Sequence, residues 1–197
     1  MHETGASRVF GTFGAVAEPV LVTFSAGLIG TWSVDTTTSV VGAPLAPAAR
    51  LEITTGPVAD DVDAAWTLRG FTSNERYVER DERAALVAVQ EGLGRPAATS
   101  AALIALRKSP AWWDLTQDER RDILETRSHH IEVGLDYLPA VARRLHHSRD
   151  LGEPFDFVTW FEFAPAETEA FDELVTRLRG TEEWSYVDRE VDLRLSR

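Results

Sequence analysis

The stretch that decides the fold is Phe155-Asp156-Phe157-Val158-Thr159-Trp160-Phe161-Glu162-Phe163, which is dominated by aromatic and β-branched residues. Such residues favour strands, so this stretch predicts a central strand. After it, Pro165 suits the first turn of a helix, and apolar residues recur at helical spacing from Phe171 to Leu178. Residues Trp184 to Leu195 alternate again and predict a further strand. This strand–helix–strand order is typical of a ferredoxin-like half in an α+β fold.

The chain before this unit predicts another sheet followed by helices. From Val9 to about Thr72 the sequence is rich in Val, Thr, Phe, Trp and Gly, which favours strands. Helical spacing then covers about 74–91 and ends near two glycines. Residues 116–119 form a capping box, from which a helix is predicted to run through His129-His130. Pro139 interrupts that helix, so a kink or a new helix is expected there.

Length and charge limit the number of domains and the classes of partner that this chain can have. The chain has 197 residues, 20 Lys plus Arg, 32 Asp plus Glu and a net charge of −12. A single compact unit is expected. Nucleic acid is not expected as a partner, because 20 basic residues in a chain of net charge −12 do not predict a basic face that could neutralise many phosphates. The same charge repels small anions, so an anionic substrate needs a local cationic group.

The chemistry open to a metal is limited by the residue types. The sequence has no Cys, which excludes disulfides, iron–sulfur clusters and thiolate-ligated haem. Its one methionine is Met1, so any metal ligand must be His, Tyr, Asp or Glu. The apolar stretch Val9 to Ala17 predicts a strand and loop rather than a signal peptide. No run approaches the ~18 apolar residues of a membrane span, and a cytoplasmic protein without membrane partners is expected.

Two adjacent histidines are the first candidates for chemistry. On a helix, His129 shares a face with Glu132 and Asp136, which directs it to water. His130 lies beside an apolar stripe, and Gly134, one turn further on, could leave room for a flat ligand. His130 is therefore the candidate for a buried ligand, and a hydrogen-bonded core histidine is the alternative.

A candidate cation follows the histidines. On an unbroken helix Arg143 and His130 would be about 20 Å apart, and only a bend at Pro139 could bring them to one site. Taken alone, Arg143 is more typical of an ion-pairing surface residue, with Arg144 as its exposed neighbour. The pair His146-His147 is expected at a helix end, in solvent.

A further cluster is Trp112-Trp113 with Lys108 before it. One indole could line a macrocycle while the lysine meets a carboxylate. Core packing of one ring beside a lysine stem is the equally supported alternative.

Taken together, the segments between Trp66 and Leu195 resemble the chlorite dismutase family, in its short dimeric branch. In chain order the matching segments are LRGFTS (68–73), RYVER (76–80), VQEGLGR (89–95), RKSPAWW (107–113), TQDERR (116–121), SHH (128–130), YLPAVAR (137–143), RDLGEPFDF (149–157) and TEEWSYVDREV (181–191). The first ~60 residues match less clearly.

The resemblance implies a ferredoxin-like dimeric α/β barrel with an abbreviated N-terminal half. This single domain, 1–197, would divide into that half at about 1–95 and a C-terminal haem-binding half at about 96–197. The resemblance also implies a homodimer with haem b, which converts the small anion chlorite to chloride and dioxygen. The alternatives are a coproheme decarboxylase-like or peroxidase-like haem enzyme, or a non-catalytic haem-binding or sensing dimer. Arg143 argues against the decarboxylases, which generally lack a distal arginine.

The same resemblance assigns roles to individual residues. His130 matches the proximal haem ligand, and Glu183 matches its hydrogen-bonding carboxylate, with Glu182 as the alternative. On the distal side Arg143 matches a mobile catalytic arginine and Gln90 its partner. The other matches are the pocket wall, Leu145, Thr159 and Phe161, and residues that contact or enclose the haem and its propionates, Lys108, Trp112 and Tyr77.

Overall fold

The computed structural model describes residues 19–56, 63–72 and 93–197. Within them the strands form one closed barrel in the order β1-β3-β2-β8-β5-β7-β6-β4, and neighbouring strands are antiparallel. The strands are β1 (Leu21–Gly27), β2 (Trp32–Val41), β3 (Arg50–Thr55), β4 (Trp66–Thr72), β5 (Ser100–Lys108), β6 (Ala142–His147), β7 (Phe157–Phe163) and β8 (Val187–Ser196).

Helices occupy the connections between the later strands. The connection from β5 to β6 contains α1 (Pro110–Asp114), α2 (Gln117–Arg121), a π-helix (Asp122–Arg127) and α3 (His130–Leu135). The connection from β7 to β8 contains α4 (Thr168–Arg179) and short 3₁₀ turns (Pro165–Glu167 and Glu183–Tyr186). No helix in the described ranges is both long and apolar enough to cross a bilayer.

The predicted α+β barrel is confirmed. The aromatic stretch around Trp160 forms β7, which lies between β5 and β6, and the helical stripe after it forms α4. The predicted helix at 74–91 and the strand at 9–17 lie outside the described residues.

Two apolar clusters lie on opposite faces of the sheet. Because strand residues alternate between faces, Trp160 of β7 points into the barrel, where it packs with Phe24 and Leu193. Phe161, the next residue, packs on the outer face against Phe171 of α4 at a ring-centroid distance of 5.1 Å. The outer face of β5, β7 and β6, together with the helices that cover it, is where the candidate site lies.

The predicted single helix through the histidines is wrong, although its capping box is confirmed. The Thr116 N–H donates to Glu119 Oε2 at 2.8 Å, and α2 begins at the next residue. The chain then widens into the π-helix and turns at His129, whose φ is +50°. A residue in this left-handed region interrupts a right-handed helix, so α3 begins separately at His130.

The prediction of a kink or new helix at Pro139 is also corrected. The helix α3 ends at Leu135, and the chain enters β6, because proline removes a backbone donor and disfavours helix in the residue before it. His146 therefore lies in a strand rather than at a helix end. It is 2% exposed, its ring packs edge-on against Phe24 at 5.1 Å, and its prediction as a solvated residue is wrong.

Candidate functional site

His130 is the first residue of α3 and is held by a carboxylate from the far end of the chain. Its Nδ1 lies 2.6 Å from Glu183 Oε2, and its side chain is 34% exposed. The neighbouring His129 is 62% exposed and pairs with Glu132 at 3.3 Å, as its helical face predicts. With Nδ1 engaged by an acceptor, Nε2 is the nitrogen that His130 can offer to a metal.

Glu183 connects His130 to a buried lysine. Its Oε1 accepts a hydrogen bond from Lys108 Nζ at 2.8 Å, and the same ammonium donates to the Glu183 carbonyl at 3.1 Å. Burial alone would raise the pKa of Glu183, but the charges and hydrogen bonds of His130 and Lys108 hold it well below its usual value. Glu182 instead pairs with Arg127 at 2.8 Å, so of the two candidate carboxylates it is Glu183 that reaches the imidazole.

Trp112 lies beside this lysine and has an unsatisfied donor. The Lys108 ammonium is 4.7 Å from the centroid of the indole, and Tyr186 packs edge-on against the ring at 5.5 Å. Trp112 is 3% exposed, and its buried Nε1 has no hydrogen-bond partner among the residues that the structure describes. A buried N–H without an acceptor is costly, which makes this position suited to a ligand that brings an oxygen acceptor, such as a propionate.

The strand side of the site is formed by β6 and β7. The cross-strand pairs Arg143–Phe161 and Leu145–Thr159 place four of the predicted residues in adjacent positions of these strands. Directly opposed residues on one face of an antiparallel pair lie about 5 Å apart. The outer face of β6 and β7 therefore presents one guanidinium in mainly apolar surroundings.

Arg143 reaches from this strand to α3. A Cβ atom added at Gly134 would overlap the Arg143 guanidinium, so the two elements approach each other at a position without a side chain. Burial lowers the pKa of Arg143, and the nearby Glu125 carboxylate opposes that shift. An arginine remains protonated across physiological pH even so. Arg143 thus reaches from the strand to the helix that begins with His130.

The donor set fits haem better than a metal ion held by several side chains. In the described part of the chain no group of three or more His, Asp or Glu side chains is arranged to hold a metal ion. Haem iron, in contrast, can take a single histidine as its protein ligand. The engaged Nδ1 of His130 and the Trp112 Nε1, which has no partner among the described residues, suit a carboxylate-bearing cofactor.

Two predicted residues, Tyr77 and Gln90, lie outside the described residues. Two others were missed. Asp156 accepts hydrogen bonds from the Lys108 N–H at 2.7 Å and Trp113 Nε1 at 3.3 Å, and burial raises its pKa despite these donors. Its place at the start of the aromatic strand was a usable signal. Glu125 lies in the π-helix, which helical spacing does not reveal.

A cavity of about 380 Å³ lies elsewhere, inside the mouth of the barrel. It is bordered by Phe24, Trp160, Arg144, His146 and Glu162, among others, and by none of the predicted site residues that the structure describes. Because Arg144 and His146 alternate with Arg143 and Leu145 along β6, this cavity is on the opposite face of the sheet from the candidate site.

Comparison with known proteins gives one family. A family model for chlorite dismutase matches residues 47–197. A curated chlorite dismutase from Ideonella dechloratans is 31% identical over 126 residues, which cover 63% of this chain and 42% of that protein. The matched region thus spans less than half the length of that relative.

Solved structures agree with this result. The crystal structure of dimeric chlorite dismutases from Nitrobacter winogradskyi is 55% identical, with a TM-score of 0.84 and coverage of 89% of this chain and 99% of that chain. A mutant chlorite dismutase from Candidatus Nitrospira defluvii is 19% identical, with a TM-score of 0.61 and coverage of 90% and 91%. The second likeness concerns the fold alone.

Proposed function

Because the chain belongs to the chlorite dismutase family, we propose that it is a haem b dependent chlorite dismutase that decomposes chlorite to chloride and dioxygen. The observation that carries the proposal is the close approach of α3 and β6 at Gly134. It brings the guanidinium of Arg143 to the helix that carries the Glu183-bound imidazole of His130. An iron ligand and an anion-binding group are the two protein groups that this reaction requires.

The helix side holds the cofactor in this proposal. His130 supplies the metal ligand through Nε2, while Glu183 accepts the Nδ1 proton and makes the imidazole a stronger electron donor. Lys108 keeps the Glu183 carboxylate ionised and oriented. Trp112 Nε1 is the donor proposed for a propionate. When bound, haem supplies the redox chemistry at the chlorine–oxygen bond.

The strand side handles the anion. Arg143 carries a permanent charge, and its planar donors hold chlorite and the chlorine-containing fragment until the reaction is complete. This local cation overcomes the repulsion expected from a net charge of −12. Phe161 lies opposite Arg143 and Leu145 two residues further along β6, and this apolar surface on the same strands strengthens the attraction for an anion by excluding water. Thr159 and, from the sequence match, Gln90 complete the proposed pocket.

Homodimer formation and a cytoplasmic location belong to the same proposal. The Nitrobacter winogradskyi protein, 55% identical over most of this chain, is described as dimeric. The mass of the purified protein by light scattering during size exclusion tests this part, with a dimer expected.

The activity is tested with a visible spectrum followed by an oxygen-electrode trace. The purified protein is expected to show the Soret band of ferric haem and to release dioxygen when chlorite is added. A protein that binds haem but releases no dioxygen would be a decarboxylase-like, peroxidase-like or sensing member of the fold. A protein that does not bind haem at all would overturn the proposal.

A further inference from the structure

The backbone of Glu183 is held in place as well as its carboxylate. Its N–H donates a hydrogen bond to Ser128 Oγ at 3.0 Å, and its carbonyl accepts one from Lys108 Nζ at 3.1 Å. Ser128 is 4% exposed and lies two positions before His130. The segment that carries the imidazole is therefore joined to the backbone of Glu183 and, through His130 itself, to its side chain.

The Ser128 hydroxyl meets a need of the turn that Glu183 begins. This 3₁₀ turn covers Glu183–Tyr186. The first N–H groups of a helical turn have no partner inside it, so they bond to water or to another part of the chain. For Glu183 the acceptor comes from Ser128, which follows the π-helix directly.

Two consecutive residues, Arg127 and Ser128, contact the consecutive glutamates Glu182 and Glu183 in the same order. Arg127 Nη1 lies 2.8 Å from Glu182 Oε1, and the two side chains are 46% and 42% exposed. Successive residues of a 3₁₀ turn point about 120° apart, so only one of these glutamates can face the imidazole. A shift of the turn by one residue would exchange them.

We propose that Ser128 is a positioning residue that sets the register of this turn, so that Glu183 rather than Glu182 meets His130 Nδ1. It acts through Glu183, whose backbone its hydroxyl contacts. This inference rests on the proposed haem site but not on turnover of chlorite.

The consequence concerns electron donation by the imidazole. A carboxylate that accepts the Nδ1 proton makes a histidine ligand more basic, and such hydrogen bonding is one of the factors that set the reduction potential of haem iron. Without the bond from its N–H to Ser128, Glu183 is held less closely against His130. Ferric iron is then stabilised less, and the reduction potential rises.

The test is the ferric–ferrous reduction potential of the full-length chain loaded with hemin, followed in the visible spectrum during a redox titration. Ser128→Ala removes the acceptor and is expected to raise the potential, in the same direction as Glu183→Gln. It should also release haem to a haem-free globin about tenfold faster than the wild type, which is the scale on which partners of a metal ligand act. Ser185→Ala is the matched control, because its hydroxyl belongs to the same turn but donates to the Glu182 carbonyl at 2.6 Å. Both values should stay at the wild-type level in this control.

The carboxylate of Glu183 provides the decisive arm. In a Glu183→Gln background the Ser128→Ala change should raise the potential no further, because the bond that Ser128 positions is already changed. The inference is overturned if Ser128→Ala and Ser185→Ala have the same potential, or if Ser128→Ala raises it equally in the Glu183→Gln background.

A second variant covers the case in which Ser128→Ala does not fold. Ser128→Cys keeps an atom in place but offers a weaker acceptor, so it must raise the potential relative to Ser185→Cys, and equal potentials reject the inference. A wild-type chain that binds no hemin would reject this inference and the proposed function together. Release of dioxygen with a potential that does not respond to Ser128 would reject this inference alone, whereas hemin binding without dioxygen release would reject only the proposed activity.

Discussion

His130 Nδ1 and Glu183 Oε2 lie 2.6 Å apart, although 53 positions separate the two residues in the chain. The contact joins the start of α3 to the 3₁₀ turn before β8, and the second oxygen of the carboxylate is occupied by Lys108 from the end of β5. Three separate elements thus fix one imidazole, which restricts its rotation and leaves Nε2 as its free coordinating atom.

Replacing His130 tests the metal ligand. His130→Ala should lose the Soret band of bound ferric haem or retain haem far more weakly, because the bond between the imidazole and the iron is lost. His129→Ala removes the exposed neighbour and should keep a normal spectrum. A normal Soret band in His130→Ala would reject its role.

Replacing Arg143 separates anion retention from cofactor binding. Arg143→Ala should keep haem but lower chlorite turnover by about a hundredfold, since one positioned donor at developing charge contributes about this much. More hypochlorite should be trapped by a scavenger, and the haem should bleach sooner. Arg144→Ala, on the opposite face of β6, serves as the control. Unchanged kinetics and bleaching in Arg143→Ala would remove the arginine from the mechanism.

For the pair of Lys108 and Glu183, we expect that a second substitution restores part of the stability lost in the first. Glu183→Ala leaves the Lys108 ammonium, whose side chain is 2% exposed, without its carboxylate, and should cost about 3–5 kcal/mol in free energy of unfolding. Adding Lys108→Met removes the unpaired charge and should recover part of that loss. Urea unfolding of both variants measures it. A double variant less stable than Glu183→Ala would show that Lys108 stabilises the fold independently of this carboxylate.

His146 predicts a loss of stability in acid. Burial lowers its pKa to about 4, against 6.5 for an ordinary histidine, even though a hydrogen-bond contact of Nδ1 with the Val158 carbonyl at 3.0 Å favours the charged form. Between these values the unfolded chain binds a proton that the folded chain does not. Stability should therefore fall as the pH drops from 6.5 towards 4, by about 3 kcal/mol.

The measurement is urea unfolding across that pH range. His146→Leu should flatten this part of the profile, whereas His129→Gln, an exposed histidine, should not. A profile for His146→Leu with the wild-type slope would assign the acid loss to other groups.

Gly70 predicts a steric limit where β4 meets β6. A Cβ atom added there would lie 2.7 Å from His146 Cβ and 2.8 Å from Ser148 Oγ. Gly70→Ala should therefore destabilise the protein by about 1–3 kcal/mol in thermal or urea unfolding, as overpacking does. A Cβ atom at Gly94 meets no atom of the described residues within 4 Å, but the φ there is +83°, so Gly94→Ala measures the backbone cost without that clash. Equal losses at both positions would argue against a steric origin.

The sequence predicted those parts of the fold whose signals are local. The aromatic run around Trp160 and the stripe from Phe171 to Leu178 carry their own periodicity, and both elements formed where expected. The chain between His129 and Arg143 was interpreted as helical, because its apolar spacing suits a helix. What the spacing does not encode is the left-handed turn at His129 and the entry into β6 after Pro139.

In the candidate site too, the sequence predicted what depends on local spacing and not what depends on the fold. The faces of a helix distinguished His130 from His129. An unbroken helix would put Arg143 about 20 Å from His130, whereas in the structure Arg143 lies in the strand β6 and its guanidinium contacts α3. The resemblance supplied Glu183 with Glu182 as the alternative, and the atomic contacts favour Glu183. Glu125 was beyond sequence reasoning, because its charge acts on Arg143 only once the π-helix and β6 are brought together in the fold.

The alternation along β6 has a consequence for tolerated sequence change. Arg143 and Leu145 face the helices, while Arg144 and His146 face the barrel. Loss or gain of a single residue in this short strand would turn the side chains that face the helices towards the barrel interior, and the reverse. Arg143 would then point into the barrel. Point replacements at positions 144 and 146 can therefore change the lining of the barrel cavity without changing the candidate site. Insertions and deletions should be confined to the loops that flank the strand.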